Sequence, residues 1–224
     1  MIKAVIFDMY ETLITHYKTP LYFSEAMSQD MGISYDAFYP LWKQTESMRS
    51  VGKMTFEQCI EYIMKENDCF SLDVLNLIVK KRQATKVAVF DTLHDEIIPM
   101  LERLKAQGIQ IGLISNCFSE EVIAIRKSKL ASYFDSMCLS YERGYQKPDL
   151  EIFQMCMDEL HVQANECIYI GDGGSCELET ALKLGMHPLQ AAWYFQEGLA
   201  FQSKVNPAFT TLYTPMDLFQ FVKK

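Results

Sequence analysis

The nine residues Ala4-Val5-Ile6-Phe7-Asp8-Met9-Tyr10-Glu11-Thr12 decide the fold. Four unbroken apolar residues followed by a carboxylate fit a strand buried on both faces of a parallel sheet and ending in a polar loop. Similar runs recur at Ile109-Gln110-Ile111-Gly112-Leu113-Ile114 and Cys167-Ile168-Tyr169-Ile170, with weaker ones at Met137-Cys138-Leu139 and Leu189-Gln190-Ala191. Helical patterns alternate with them. Ile97, Met100, Leu101 and Leu104 form a stripe over 97–106, and further segments span 120–127, 150–160 and 176–184. Lys105-Ala106-Gln107-Gly108 reads as a helix closed by its terminating glycine. Strand and helix in alternation predict an α/β fold, a doubly wound, mostly parallel sheet of about five strands.

Residues 15–92 break that rhythm. Leu21 to Met31, Asp36 to Met48, Phe56 to Met64 and Leu72 to Lys81 read as four helices, divided by Gly32, Gly52 and the Asn67-Asp68 turn. Thr55-x-x-Gln58 fits a capping box ahead of the third. The chain therefore divides into an α/β core at 1–14 and 93–224 and a smaller, all-helical module at 15–92. Trp42, Phe56 and Tyr62 in that module read as core or interface aromatics, with one of them available to line a pocket.

Composition narrows the function. With 224 residues, 21 basic against 29 acidic side chains and a net charge of −8, the chain lacks the basic balance of a nucleic-acid binder. A few local cations can still dominate a pocket, so a small anionic substrate remains open. No apolar run approaches the roughly 20 residues that cross a bilayer. The first residues turn acidic at Asp8, too early for a signal peptide. Seven cysteines form no C-x-x-C pair, and the four histidines lack zinc spacing. Reduced thiols in a cytoplasmic protein are the expectation, with no membrane partner. Oligomeric state is not legible; a monomer is expected.

In an open α/β sheet, ligands bind beyond the carboxyl ends of the strands. Asp8, Tyr10 and Glu11 follow the first run, and Ser115 and Asn116 follow the second. Lys147-Pro148-Asp149 lies in the loop after the third, and Gly171-Asp172-Gly173-Gly174-Ser175-Cys176-Glu177 follows the fourth. Any one strand-end carboxylate reads as a turn or helix cap; the set together can perform one kind of reaction. Asp8 can attack an electrophilic phosphorus or carbon and form a covalent ester or acyl phosphate. Asp172 could share a Mg²⁺ with it, screening an anionic nucleophile from an anionic substrate. Ser115 and Lys147 supply a hydrogen bond and a positive charge to the transferring group.

These four motifs, in this order, resemble those of the haloacid dehalogenase-like hydrolases, and the helical insertion sits where that superfamily carries a cap. The resemblance implies a Rossmann-like core and an aspartyl nucleophile at Asp8. For most members it implies Mg²⁺-dependent hydrolysis of small phosphorylated metabolites. Metal contacts would fall to the Asp8 side chain, the Tyr10 main-chain carbonyl, Asp172 and Glu177, the last acidic position of the fourth motif. Ser115, Asn116 and Lys147 would bind the phosphate, Lys147 also restraining Asp8. Connections near His16 and at Phe90 to His94 would act as hinges that let the cap close.

One departure divides the possibilities. Phosphatases of the family carry a second Asp two residues after the nucleophile as general acid and base; here Tyr10 stands there. A phenol with a pKa near 10 is a poor base at neutral pH. The 2-haloacid dehalogenases resemble this chain at that position, need no metal, and release a halide that requires no proton. They would also need an arginine for the halide or carboxylate. Arg49 is the early candidate, read more simply as a solvated helix-end charge, and Arg82 lies late. A protein that binds phosphate without efficient turnover is a third possibility. Glu11, where the family usually has glycine, either replaces the missing acid or, more simply, faces solvent or bonds its own loop. Cys117 reads as a buried, inert thiol. Gly171-x-Gly173-x-x-Cys176 lacks the third glycine of a dinucleotide fingerprint, and neither a P-loop nor a G-x-S-x-G elbow occurs.

Overall fold

Ala4–Phe7 (β1) is fully buried at all four residues, so it needs a partner on each edge and cover on each face. In the computed structural model, which describes residues 1–195 and 204–222, it has both. The other strands are β2 (Gln110–Ser115), β3 (Ser136–Leu139), β4 (Cys167–Gly171), β5 (His187–Ala191) and β6 (Thr210–Leu212). They form one all-parallel sheet in the order β3-β2-β1-β4-β5-β6. The sixth strand exceeds the sequence expectation: Thr210-Thr211-Leu212 is short and polar, and only its pairing with β5 makes it a strand.

The segment between β1 and β2 begins as helices. They are α1 (Ser24–Met31), α2 (Tyr35–Gln44), α3 (Glu46–Ser50), α4 (Phe56–Glu66) and α5 (Leu72–Ala88). Met27, Phe38, Phe56, Ile60, Ile63 and Ile78 give them an apolar core of their own. The predicted capping box at Thr55 and Gln58 opens α4, and Gly32 closes α1 in the left-handed region at φ 76°. The expected helix over Asp36 to Met48 is two. The Thr45 hydroxyl donates to the Leu41 and Trp42 carbonyls at 3.1 Å, a side-chain bond that bends and ends a helix. The last helix runs seven residues past its expected end at Lys81, for a reason given below.

The remaining helices cover the sheet: α6 (Ile97–Ala106), α7 (Ser119–Lys127), the short α8 (Ser140–Arg143), α9 (Leu150–Leu160) and α10 (Glu177–Leu184). Val5 and Phe7 pack with Met100, Leu104 and Ile125 from α6 and α7. Ala4 and Ile6 point the other way, into Ile152, Phe153, Cys156 and Ala181 from α9 and α10. Alternate β1 residues thus enter two separate cores, the mark of a doubly wound sheet. Residues 196–203 and 223–224, within the span assigned to the core from sequence, lie outside the described residues. No helix among the described residues is long and apolar enough to cross a membrane.

Candidate active site

Phe7 pairs with Leu113 on one side and Ile170 on the other, so β1, β2 and β4 run out together at the carboxyl edge of the sheet. Their next residues converge there. The Asp8 N–H donates to the Ile170 carbonyl at 2.8 Å, which seats the aspartate between its neighbours. Asp8, Asp172 and Glu177 are all buried and bring one carboxylate oxygen each to within 4.8 Å of one another. Lys147 Nζ stands 2.6 Å from Asp8 Oδ1. Asn116 fixes that lysine from across the sheet edge: its Oδ1 accepts from the Lys147 N–H at 2.7 Å and its Nδ2 donates to the Lys147 carbonyl at 3.0 Å.

The loop after β4 is built around Glu177. Its two oxygens accept from the N–H groups of Gly173 at 2.8 Å and Ser175 at 2.6 Å, while Asp172 Oδ1 accepts from the Gly174 N–H at 3.0 Å. Residue 171 must be glycine for this: a Cβ there would lie 2.7 Å from Glu177 Oε1.

One ammonium against three carboxylates leaves surplus negative charge in a buried pocket. Burial drives the Asp8 carboxyl up to about 7; Glu177 and Asp172 add to that, and Lys147 opposes it. Burial works against the Glu177 charge as well, but Lys147 and the loop N–H groups outweigh it and hold that carboxyl below its usual range. A hard divalent cation fits such a site, because carboxylate oxygens are the ligands it prefers and its charge discharges the surplus.

The cleft over this cluster is small, about 160 Å³, and Asp8, Tyr10, Glu11, Asn116, Lys147, Asp172 and Ser175 line it. Ser115 is fully buried at the end of β2 and is not among the lining residues; its hydroxyl donates to the Asn116 carbonyl at 3.5 Å. Cys117 is buried, and burial pushes its thiol far up, so it is inert as expected.

Tyr10 turns its ring away from proton chemistry. It stacks on His16 with centroids 4.8 Å apart, and its hydroxyl is buried with no hydrogen-bond partner among the described residues. Burial, with Glu121 next, raises its pKa well above 10. Glu11 takes the simpler of its two expected roles: its carboxylate accepts from the Thr15 hydroxyl at 2.6 Å and the His16 N–H at 3.0 Å. It does so at φ 57°, a left-handed conformation that strains any residue but glycine.

Arg49 is a correction. It is not a solvated charge but fully buried, its guanidinium 3.5 Å from the Trp42 ring centroid and 4.4 Å from that of Phe118. Nη2 donates to the Trp42 carbonyl at 2.8 Å, and the arginine does not reach the cleft over Asp8. Stacking on flat aromatic faces is what guanidinium does better than ammonium, and it replaces the water the helix end would have offered.

A second charge cluster escaped the sequence reading. Arg82 Nε lies 3.0 Å from Glu120 Oε1, and Lys86 Nζ lies 2.5 Å from Glu121 Oε1, all four side chains buried where α5 crosses α7. Lys86 also donates to His16 Nε2 at 3.4 Å. The signal was available: Arg82 and Lys86 stand four apart on one face of a helix, opposite the adjacent pair Glu120-Glu121. Above them opens a cavity of about 470 Å³ between the helical layer and the sheet edge, which shares the lining residue Glu11 with the small cleft.

An all-parallel, doubly wound sheet with carboxylates and a lysine gathered at its strand ends has the form of an enzyme of the Rossmann-like kind. The sequence profile of the haloacid dehalogenase-like hydrolases matches residues 2–185, and the chain belongs to that family. It is a hydrolase. Its relatives include both chemistries considered above. The (S)-2-haloacid dehalogenase 4A of Burkholderia cepacia is 23% identical over 84% of this chain and 82% of its own length. The glyceraldehyde 3-phosphate phosphatase of Methanocaldococcus jannaschii is 26% identical over 83% of each. Among solved structures, a family enzyme of Bacteroides thetaiotaomicron in complex with magnesium and inorganic phosphate superposes with a TM-score of 0.66. It shares 17% identity and covers 88% of this chain and 98% of that one.

Proposed function

We propose that the protein hydrolyses a small phosphate monoester in a Mg²⁺-dependent reaction through a phosphoryl group held on Asp8. The observation that carries this reading is the charge imbalance at the strand ends: Asp8, Asp172 and Glu177 crowd within 4.8 Å with Lys147 as their cation. A carboxylate oxygen of Asp8 attacks phosphorus, the bond from phosphorus to the alcohol oxygen breaks, that oxygen takes a proton from solvent, and an aspartyl phosphate forms. Water then attacks phosphorus and gives its proton back to solvent, releasing inorganic phosphate and restoring the carboxylate. Mg²⁺, when bound, would neutralise charge between the anionic nucleophile and the anionic substrate.

Asp8, Asp172 and the Tyr10 carbonyl would hold that ion, with Glu177 fixing the loop that carries Asp172. Lys147 holds Asp8 in place and stabilises negative charge on the transferring group. Asn116 anchors Lys147 and lines the cleft in which the phosphate would sit. Tyr10 serves through its main chain and its ring, since its hydroxyl is buried and its pKa too high to donate a proton usefully.

Metal-independent dehalogenation is the second reading, favoured by Tyr10, because a halide leaves without a proton. The place of Arg49 weighs against it, since no arginine lines the cleft among the described residues. Phosphate release from a panel of sugar phosphates, aryl and alkyl phosphates and nucleotides, with Mg²⁺ or with EDTA, tests the first reading. The expected result is release with Mg²⁺ alone. No release above blank, with chloride freed from 2-chloropropionate in EDTA, would establish the second instead. If both reactions fail while a phosphorylated ligand binds tightly with Mg²⁺, the protein is a binding module.

A further inference from the structure

We propose that the cavity between the helical layer and the sheet edge holds the leaving group of the substrate, and that this group is an uncharged alcohol bearing an aromatic or similarly flat ring. The inference rests on the phosphatase reading of Asp8 and names its substrate class. The cavity, about 470 Å³, shares the lining residue Glu11 with the cleft over Asp8, which places it within reach of the alcohol of a phosphate ester seated at the nucleophile. That volume suits a ring-sized ligand.

Its walls are chosen for a ring. Tyr35, Tyr39 and Trp42 recur at i, i+4 and i+7 and so share one face of α2. Phe38, on the adjoining flank of α2, enters the apolar core of the helical layer and stacks on Trp42 with ring centroids 5.8 Å apart. Tyr35 and Tyr39 are each 40% exposed and stack on one another with centroids 5.1 Å apart, so packing does not account for them. Phe23 and Phe118 complete the lining from the other side.

The cations of the cavity each face a carboxylate, Arg82 and Lys86 in buried pairs and Lys43 in an exposed one. Lys43 pairs with Glu46, Arg82 with Glu120 and Lys86 with Glu121, and Glu11 is bonded to Thr15 and His16. Each lining cation already faces a carboxylate, which leaves none of them to neutralise a second phosphate or a carboxylate on the substrate. A ring covers the aromatic faces and displaces water from them. A polyol would prefer the neighbouring polar cavity, about 350 Å³, which is lined by Ser47, Ser50 and Gln146 and shares Asn116 and Ser175 with the cleft over Asp8; the choice between the two cavities therefore rests on their walls. Exchanging water for protein at such a surface adds little affinity, because each hydrogen bond gained replaces one lost.

Benzyl phosphate and glucose 6-phosphate test this fairly, since both release a primary alcohol. With Mg²⁺, kcat/KM for benzyl phosphate should exceed that for glucose 6-phosphate by about tenfold or more, carried by KM. Tyr35→Ala with Tyr39→Ala should shrink that ratio several-fold while the melting temperature holds, both side chains being exposed. Equal rates or a preference for the sugar phosphate would overturn the inference and leave the phosphatase reading standing. So would a ratio untouched by the tyrosine variants but moved by Ser50→Ala or Gln146→Ala. Release from neither ester, nor from any member of the wider panel, would overturn both.

Discussion

Two buried charge clusters flank the aromatic cavity and differ in their balance. Between α5 and α7, Arg82 and Lys86 face Glu120 and Glu121, two cations against two carboxylates. At the strand ends, Lys147 faces Asp8, Asp172 and Glu177, one against three. Burying a charge costs several kcal/mol unless a partner offsets it. The first cluster offsets part of that cost internally: against burial, Lys86 and Arg82 hold the Glu121 carboxyl below its usual range, while burial keeps that of Glu120 above its own. At the second, burial, opposed by Lys147 and reinforced by Glu177 and Asp172, drives Asp8 up to about 7. A balanced buried cluster holds elements together; an unbalanced one is built for a charge that arrives from outside.

The contrast can be broken at four points. The largest effect is on chemistry. Asp8→Asn should lower phosphate release by about 10⁴-fold or more, with the urea midpoint little changed because Lys147 keeps Asp172 and Glu177 beside it. A variant retaining a tenth of wild-type turnover would remove Asp8 from the mechanism.

Next comes the balanced cluster. Lys86→Met takes from Glu121 its nearest cation, leaving Arg82 Nη2 at 3.8 Å, and should cost about 3 kcal/mol of unfolding free energy, read from urea titration. Pairing it with Glu121→Met should recover most of that loss, since neither charge is then left alone. A double variant as unstable as the single one would show that the cluster does more than neutralise itself.

A smaller effect belongs to the unbalanced cluster. Mg²⁺ at tenfold over its dissociation constant should stabilise the fold by about 1.4 kcal/mol. That gain should vanish in Asp172→Asn and persist in Arg82→Met, as differential scanning calorimetry would show. The smallest effect is expected at Tyr10. Removing a buried hydroxyl without a partner by Tyr10→Phe should leave turnover unchanged and raise stability by about 1 kcal/mol or less. A tenfold loss of turnover would give the phenol a part in the reaction after all.

These differences also explain what the sequence made legible. Strand-end residues announce themselves, because an unbroken apolar run can stop in only one direction and the polar residues after it must lie at the sheet edge. Asp8, Asn116, Lys147 and Asp172 were located that way, and all line the cleft. Buried charges do not announce themselves. Past Lys81, α5 reads Arg82-Gln83-Ala84-Thr85-Lys86, which looks like a solvated end; it stays helical because Arg82 and Lys86 turn inward to glutamates that lie 35 residues or more along the chain. Arg49 misled for the same reason, since its partners are ring faces rather than acids. Tyr39 gave no signal at all, as one more tyrosine in an amphipathic helix.

The central claim is that Asp8 carries a phosphoryl group, and the mass of the acid-quenched protein tests it most directly. After brief mixing with an accepted phosphate ester and Mg²⁺, the peptide containing Asp8 should be heavier by one phosphoryl group, and the Asp8→Asn protein should carry none. Phosphate release with no adduct on that peptide, or a carboxyalkyl adduct there from a 2-haloacid in EDTA, would contradict the account.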